Sequence, residues 1–213
     1  MSKNNKDDIF REGVEYSLIS LFSNKLKIGI IGLGKAGMIK AKHFYAQGAS
    51  IEILTKYKTV DNFPFNGDKV KVINKSYEKT FLKDKHIIII AIDDNNVRDI
   101  IKKDCEDLSK IYIDSSSFKE GMGAVPSQIH GNNAIIGVNT LGGNPKGAIF
   151  LSSKLKETLN KYDDFIGFTT KVRNSIEDSK LKKEVAEFIC TDEFYFFYEK
   201  GVGEKIIKLF WYI

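Results

Sequence analysis

A chain of 213 residues with 42% hydrophobic and 29% charged residues is long enough for one good core and a smaller appended domain. Its longest unbroken apolar run, Ile87 to Ile92, falls far short of the roughly 20 residues a membrane span needs, and the opening MSKNNKDDIFREG lacks the apolar core of a secretory signal, so a cytoplasmic protein is expected. The net charge of +5 comes from lysines spread along the whole length, which gives a solvated surface attractive to anionic ligands, without the compact basic stripe that nucleic acid requires.

In chain order, LKIGIIG reads as a first strand buried on both faces, and KAGMIKAKHFYAQG as the helix after it, with Gly48 just past its end. SIEILT is a second strand, and KVKVINKSY a third in which Val70 and Val72 alternate with lysines. KHIIIIAI is the most buried strand, NNVRDIIKKDCEDL a helix and KIYID a fifth strand. Strands alternating with amphipathic helices predict an α/β fold with a parallel sheet, occupying residues 1–114. Residues 115–144 are rich in Gly, Ser and Asn and hold two short strand candidates, GAVPSQI and NAIIGVN, around the turn HGNN. Two strands cannot form a core alone, so pairing with a second copy, a homodimer, is one way to complete them. Residues 145–213 form a helical domain: a long helix through KGAIFLSSKLKETLNKYDDFIGFTTKVRNSIED, a stop at Asp178, and a helix LKKEVAEFIC. The aromatic stretch from FYFFYEKG to LFWYI reads as core or interface.

The chemistry concentrates at Gly32-Leu33-Gly34-Lys35-Ala36-Gly37, a G-x-G-x-x-G that leaves an apolar strand and opens a helix. In a Rossmann unit the first glycine makes the tight turn, the second lets bare backbone approach a pyrophosphate, and the third lets helix and strand pack closely. The helix N-terminus then offers free N–H groups and a partial positive charge. An NAD cofactor is therefore expected. The acidic residue that usually follows strand two is missing, since the region reads Leu54-Thr55-Lys56-Tyr57-Lys58. Thr55 or backbone groups can hold the ribose of NAD, while Thr55 with Lys56 and Lys58, which flank the further cofactor-binding candidate Tyr57, suits the 2′-phosphate of NADP. At the end of strand four, Ala91, Ile92, Asp93 and Asp94 lie where a nicotinamide half rests, although either aspartate also serves as a helix cap. Cys105 and Cys190 read as free thiols, and His43, His86 and His130 make no metal-ligand spacing.

With these elements in order, the chain resembles the precorrin-2 dehydrogenases, the first module of siroheme synthases. The resemblance rests on YSLISLFSNKLKIGIIGLGKAG, on KVKVINKSYEKTFLKDKHIIIIAIDDNNVR, on KIYIDSS, and on GAVPSQIHGNNAIIGVNTLGGNP, which is similar to a Pro-containing strand pair followed by S-T-G-G-x-S-P. It implies a Rossmann domain, a small strand-exchanged dimerisation domain and a C-terminal helical domain. The implied activity is oxidation of precorrin-2, an anionic tetrapyrrole, to sirohydrochlorin with NAD, joined in some members by insertion of ferrous iron. It also places an essential aspartate on Asp114, as a base or as a group that orients the ring. On the residues alone, Asp114 equally reads as a turn residue leading into SSSF. The sequence departs from the pattern where Asn139 replaces the first serine of the S-T-G-G-x-S-P segment. Two other readings fit the glycine turn: an NADPH-dependent imine or keto reductase, and a non-catalytic nucleotide-sensing or metal-carrier protein.

Overall fold

The computed structural model describes residues 16–56, 65 and 68–211. Contacts divide the chain into two compact units, one of Met1–Val125 with Leu141–Gly143, the other of Pro126–Thr140 with Asn144–Ile213.

The first unit is built on five parallel strands: β1 (Lys27–Ile31), β2 (Ser50–Thr55), β3 (Val70–Asn74), β4 (Ile87–Ile90) and β5 (Ile111–Asp114). Their spatial order is β3-β2-β1-β4-β5, so the chain runs outward to one edge and then crosses back beside β1. Helix α1 (Lys35–Ala46) joins β1 to β2, and α2 (Asn95–Asp107) joins β4 to β5. This is a doubly wound, Rossmann-like α/β fold, as the strand and helix alternation predicts. Alternation along each strand divides the isoleucines between two layers. Ile28, Ile30, Ile51, Ile53, Ile87 and Ile89 pack with Ala41 and Phe44 of α1. Ile31, Leu54, Ile88 and Ile90 pack with Ile101 and Cys105 of α2. All four residues of β4 are buried, and each such isoleucine contributes about 1.5–3 kcal/mol relative to exposure. The strand lies inside the sheet, between β1 and β5, where it has no solvent-facing side.

Several elements are shorter than their sequence patterns. β3 ends at Asn74 rather than Tyr77, and its valines are only partly buried because it is an edge strand. β4 stops at Ile90, before the chain leaves the sheet at Ala91. Helix α1 ends at Ala46, and Gly48 takes a φ of +86° as the residue that turns the chain toward β2.

In the second unit, β6 (Ser127–His130) and β7 (Ile135–Val138) form an antiparallel pair. β6 begins after Pro126, which has no N–H to give to a ladder. They pack on α3 (Pro145–Ser175), a helix started by the Asn144 side chain accepting from Gly147 N. The helices α4 (Ser179–Ile189), α5 (Asp192–Glu199) and α6 (Gly203–Trp211) follow. Asp178 caps α4 and Thr191 caps α5 through their side-chain oxygens. The C-terminal aromatic stretch supplies core here: Phe194 and Tyr195 pack with Phe165, Val185, Ile189 and Ile207. Within the same stretch Phe196, Leu209 and Phe210 are exposed. Among the described residues, no helix is long and apolar enough to cross a membrane.

Candidate dinucleotide site

At the C-terminal ends of the parallel strands the first unit holds a cleft of about 420 Å³, the position where ligands of open α/β sheets bind beside the point of strand-order reversal. The turn after β1 contributes Gly32, Leu33 and Gly34, the end of β2 contributes Thr55 with Lys56 next to it, and the segment after β4 contributes Ala91, Ile92, Asp93 and Asp94. The sequence thus names nine residues that the fold gathers on one wall or another. Lys35, Ala36 and Gly37 stand on the first turn of α1 and not among the lining residues. Tyr57 lies outside the described residues.

The three glycines of the turn meet three different constraints. Gly32 has a φ of +102°, and a Cβ there would sit 2.1 Å from the Ala91 carbonyl oxygen. A Cβ on Gly37 would sit 2.1 Å from the carbonyl oxygen of Gly32, so helix and strand touch backbone to backbone. Gly34 has an ordinary extended conformation and nothing within 4 Å of the missing Cβ. Two glycines are therefore demanded by packing inside the protein, and the middle one by nothing inside it. Gly34 is also the N-cap of α1 without any side chain to cap it, which leaves the first-turn N–H groups to a ligand. A pyrophosphate fits this arrangement.

Asp94 caps α2, its Oδ1 accepting from Val97 N at 3.1 Å, while Asp93 lies exposed on the cleft wall. Sequence reasoning missed Lys75, Tyr77 and Val97, which also line the cleft. Lys75 follows β3 directly, and its N–H donates to the Thr55 carbonyl at 3.1 Å, continuing the ladder beyond the strand. Tyr77 donates its hydroxyl to Asp104 Oδ2 at 2.9 Å, a bond from the cleft wall to α2.

Asp114 ends β5 beside Ile90 of β4 and is almost wholly buried. Its Oδ1 accepts from the backbone N–H groups of Ser116 and Ser117 at 2.8 and 2.9 Å. Its Oδ2 accepts from Arg98 Nε at 3.2 Å and Nη2 at 2.9 Å, with Lys102 Nζ 3.4 Å away. Burial alone raises a carboxyl, but the Ser117 and Ser116 N–H groups and the Arg98 guanidinium together outweigh it and hold Asp114 below its ordinary range. The carboxylate is thus an anchor for the turn after β5, with every favoured lone-pair direction taken. Asp114 is not among the residues lining the cleft. Next to it, the buried Ser115 hydroxyl has no hydrogen-bond partner among the described residues.

The histidines do local work. His86 Nδ1 accepts from Lys27 N at 2.9 Å where β1 begins, His43 packs edge-on against Phe44, and His130 ends β6 exposed. Among the described residues, no three His, Cys, Asp or Glu side chains cluster as metal ligands.

Residues 19–127, just over half of the chain, match the family described as "Putative NAD(P)-binding". No curated protein matches the sequence. Among solved structures the chain is similar to one titled SirC, precorrin-2 dehydrogenase, with a TM-score of 0.62 and 19% identity over 84% of this chain and 91% of that one. At that identity the likeness is one of fold. Matches to two NAD-bound dehydrogenases are confined to a smaller part. A D-isomer specific 2-hydroxyacid dehydrogenase from Lactobacillus delbrueckii ssp. bulgaricus gives a TM-score of 0.36 and 23% identity over 45% of this chain and 28% of that one. A D-lactate dehydrogenase from Lactobacillus jensenii gives 0.36 and 24% over 51% and 32%.

Proposed function

This chain belongs to the family of NAD(P)-binding proteins, and from that premise we propose that it is a dehydrogenase that oxidises precorrin-2 to sirohydrochlorin in siroheme synthesis. The observation that carries the cofactor half is the open space in front of Gly34, between two glycines that the fold itself requires. The choice of substrate is supported by the fold likeness to SirC, which extends over most of both chains, together with the ordered sequence resemblance. The reading covers the oxidation alone.

The oxidised dinucleotide supplies an acceptor for hydride, and the ring releases a proton alongside it. The chain's own part is placement. Gly32 and Gly37 set the bend, and the first turn of α1 holds the pyrophosphate on backbone N–H groups. Ala91 and Ile92 give the nicotinamide half an apolar wall at the end of β4. Asp114 enters as a positioning residue, since its two oxygens are committed to Ser116, Ser117 and Arg98. It fixes the course of the chain from Ser115 to Ser117 as it leaves β5. A carboxylate-rich macrocycle is drawn by the lysine-rich surface. A homodimer in the cytoplasm belongs to the same reading, supported by a two-stranded sheet that carries the exposed Ile135.

The test is to mix the purified protein with precorrin-2 and either NAD⁺ or NADP⁺ and follow the visible spectrum. Sirohydrochlorin should form together with reduced dinucleotide in equal amount. An unchanged tetrapyrrole spectrum with both dinucleotides would overturn the assignment.

A further inference from the structure

We infer that the far end of this cleft is built for the 2′-phosphate of NADP(H), so that the phosphorylated dinucleotide is preferred over NAD(H). The inference rests on the dinucleotide reading of the site and deepens it.

The strand order places β2 and β3 side by side, in register from Ile51↔Val70 to Thr55↔Asn74. The residues that come next, Lys56 and Lys75, therefore leave the sheet as neighbours, on strands about 4.8 Å apart. Two bonds hold them there. Lys75 N donates to the Thr55 carbonyl at 3.1 Å. The Asn74 amide, oriented by its hydrogen-bonding partners, donates to the carbonyls of Thr55 at 3.1 Å and Lys56 at 3.2 Å. Both lysines are exposed and both line the cleft.

Charge distinguishes this pair from lysines close by in the same unit. Lys71 on β3 is matched by Glu52, and Lys79 by Asp104 and Asp107. Among the described residues no carboxylate lies within ion-pair distance of Lys56 or Lys75. The sequence from Leu54 to Val60 also holds no Asp or Glu. In NAD-selective sites a carboxylate at the end of the second strand accepts the ribose hydroxyls and repels a phosphate there. Here no described residue supplies that carboxylate, and Lys56 and Lys75, neither in an ion pair among the described residues, stand at the same sheet edge. They balance the roughly two negative charges of a phosphate monoester at neutral pH. The cleft's own acids, Asp93 and Asp94, follow β4, on the opposite side of β1 from β2, so they face the other half of the ligand.

The experiment compares adenosine 2′,5′-bisphosphate with 5′-AMP, and NADP⁺ with NAD⁺, by calorimetry on the full chain. Each 2′-phosphorylated ligand should bind about 10- to 100-fold more tightly, as charge-assisted hydrogen bonds to a phosphate would give, and the ratio should shrink as salt is raised. In the double variant Lys56→Gln/Lys75→Gln the ratio should collapse toward one, whereas Lys56→Arg should keep it. Equal affinity of the parent protein for both members of each pair would overturn the preference alone and leave the dinucleotide site standing. A preference that survives in the double variant would overturn the assignment to these lysines. Failure of all four ligands to bind would overturn the site and the preference together.

Discussion

One methyl group added at Gly34 and the same group added at Gly32 should have opposite consequences, although the positions are two residues apart. At Gly32 the alanine inherits a φ of +102°, a strain of about 1–3 kcal/mol for a residue with a Cβ. The new carbon would also lie 2.1 Å from the Ala91 carbonyl oxygen and 2.8 Å from Ile92 Cγ2, and overpacking of this kind adds about 1–3 kcal/mol. Gly32→Ala should thus lose about 2–6 kcal/mol of stability. At Gly34 the backbone is ordinary, with φ −73° and ψ −172°, and the Cβ meets nothing. Reduced freedom of the unfolded chain favours alanine by about 0.4–1 kcal/mol, and its poorer standing as an N-cap offsets this. Gly34→Ala should therefore unfold within about 0.5 kcal/mol of the parent while losing at least about tenfold in dinucleotide affinity, or 1.4 kcal/mol. Urea denaturation followed by circular dichroism measures the first quantity, and calorimetric titration with NAD⁺ and NADP⁺ the second. A Gly34→Ala protein that binds either dinucleotide as tightly as the parent would refute the reasoning.

The Asp114 anchor predicts a pH-dependent loss. Asp114→Asn leaves Arg98 and Lys102 without their buried partner, and should cost near the lower end of the about 3–5 kcal/mol typical of breaking such a pair, because both cations also meet Glu120. Since the folded protein holds this carboxyl below its ordinary range, its contribution is complete above the unfolded value of about 3.9 and fades as pH falls below it. The gap in urea midpoint between parent and variant should accordingly narrow steadily as pH falls below about 3.9; a gap independent of pH would place the stabilisation elsewhere. Cysteine labelling offers a test of packing. Burial, with Asp104 and Glu106 nearby, pushes the Cys105 thiol up to about 12, while Cys190 is exposed. Iodoacetamide at mildly alkaline pH should modify Cys190 alone in the folded protein and both thiols in urea, as read by mass spectrometry; rapid alkylation of Cys105 in the folded protein would contradict its burial between α2 and the sheet.

The parts of this protein legible in its sequence are those whose causes are local. The glycine turn, the apolar run of β4 and the Asp94 cap each follow from a few consecutive residues. Lys75 did not declare itself, because nothing in KVKVINKSY says that β3 will lie beside β2 and bring this lysine next to Lys56. The partners of Asp114 were hidden in the same way: Arg98 sits 16 residues earlier on α2, and only the crossover after β4 brings it back. Helix α3 misled its own periodicity. Ser152, Asp163 and Thr169 are buried while Ile149, Phe150 and Leu151 are exposed, because the buried face is set by what packs on the helix and not by which residues are most apolar.

Asp163 ties the hairpin of the second unit to its long helix. From the middle of α3 its carboxylate accepts three consecutive backbone N–H groups of the β6–β7 turn, those of Asn132 at 2.7 Å, Asn133 at 3.0 Å and Ala134 at 3.1 Å. Gly131 lies so near that a Cβ there would come within 2.2 Å of Asp163 Oδ1. A short hairpin is thereby keyed to the angular phase of a long helix. Inserting a single residue between Pro145 and Asp163 would swing the carboxylate roughly 100° around the axis and unseat the hairpin, whereas a seven-residue insertion would return it to nearly the same bearing. Length variation in this stretch is therefore quantised by the helical repeat.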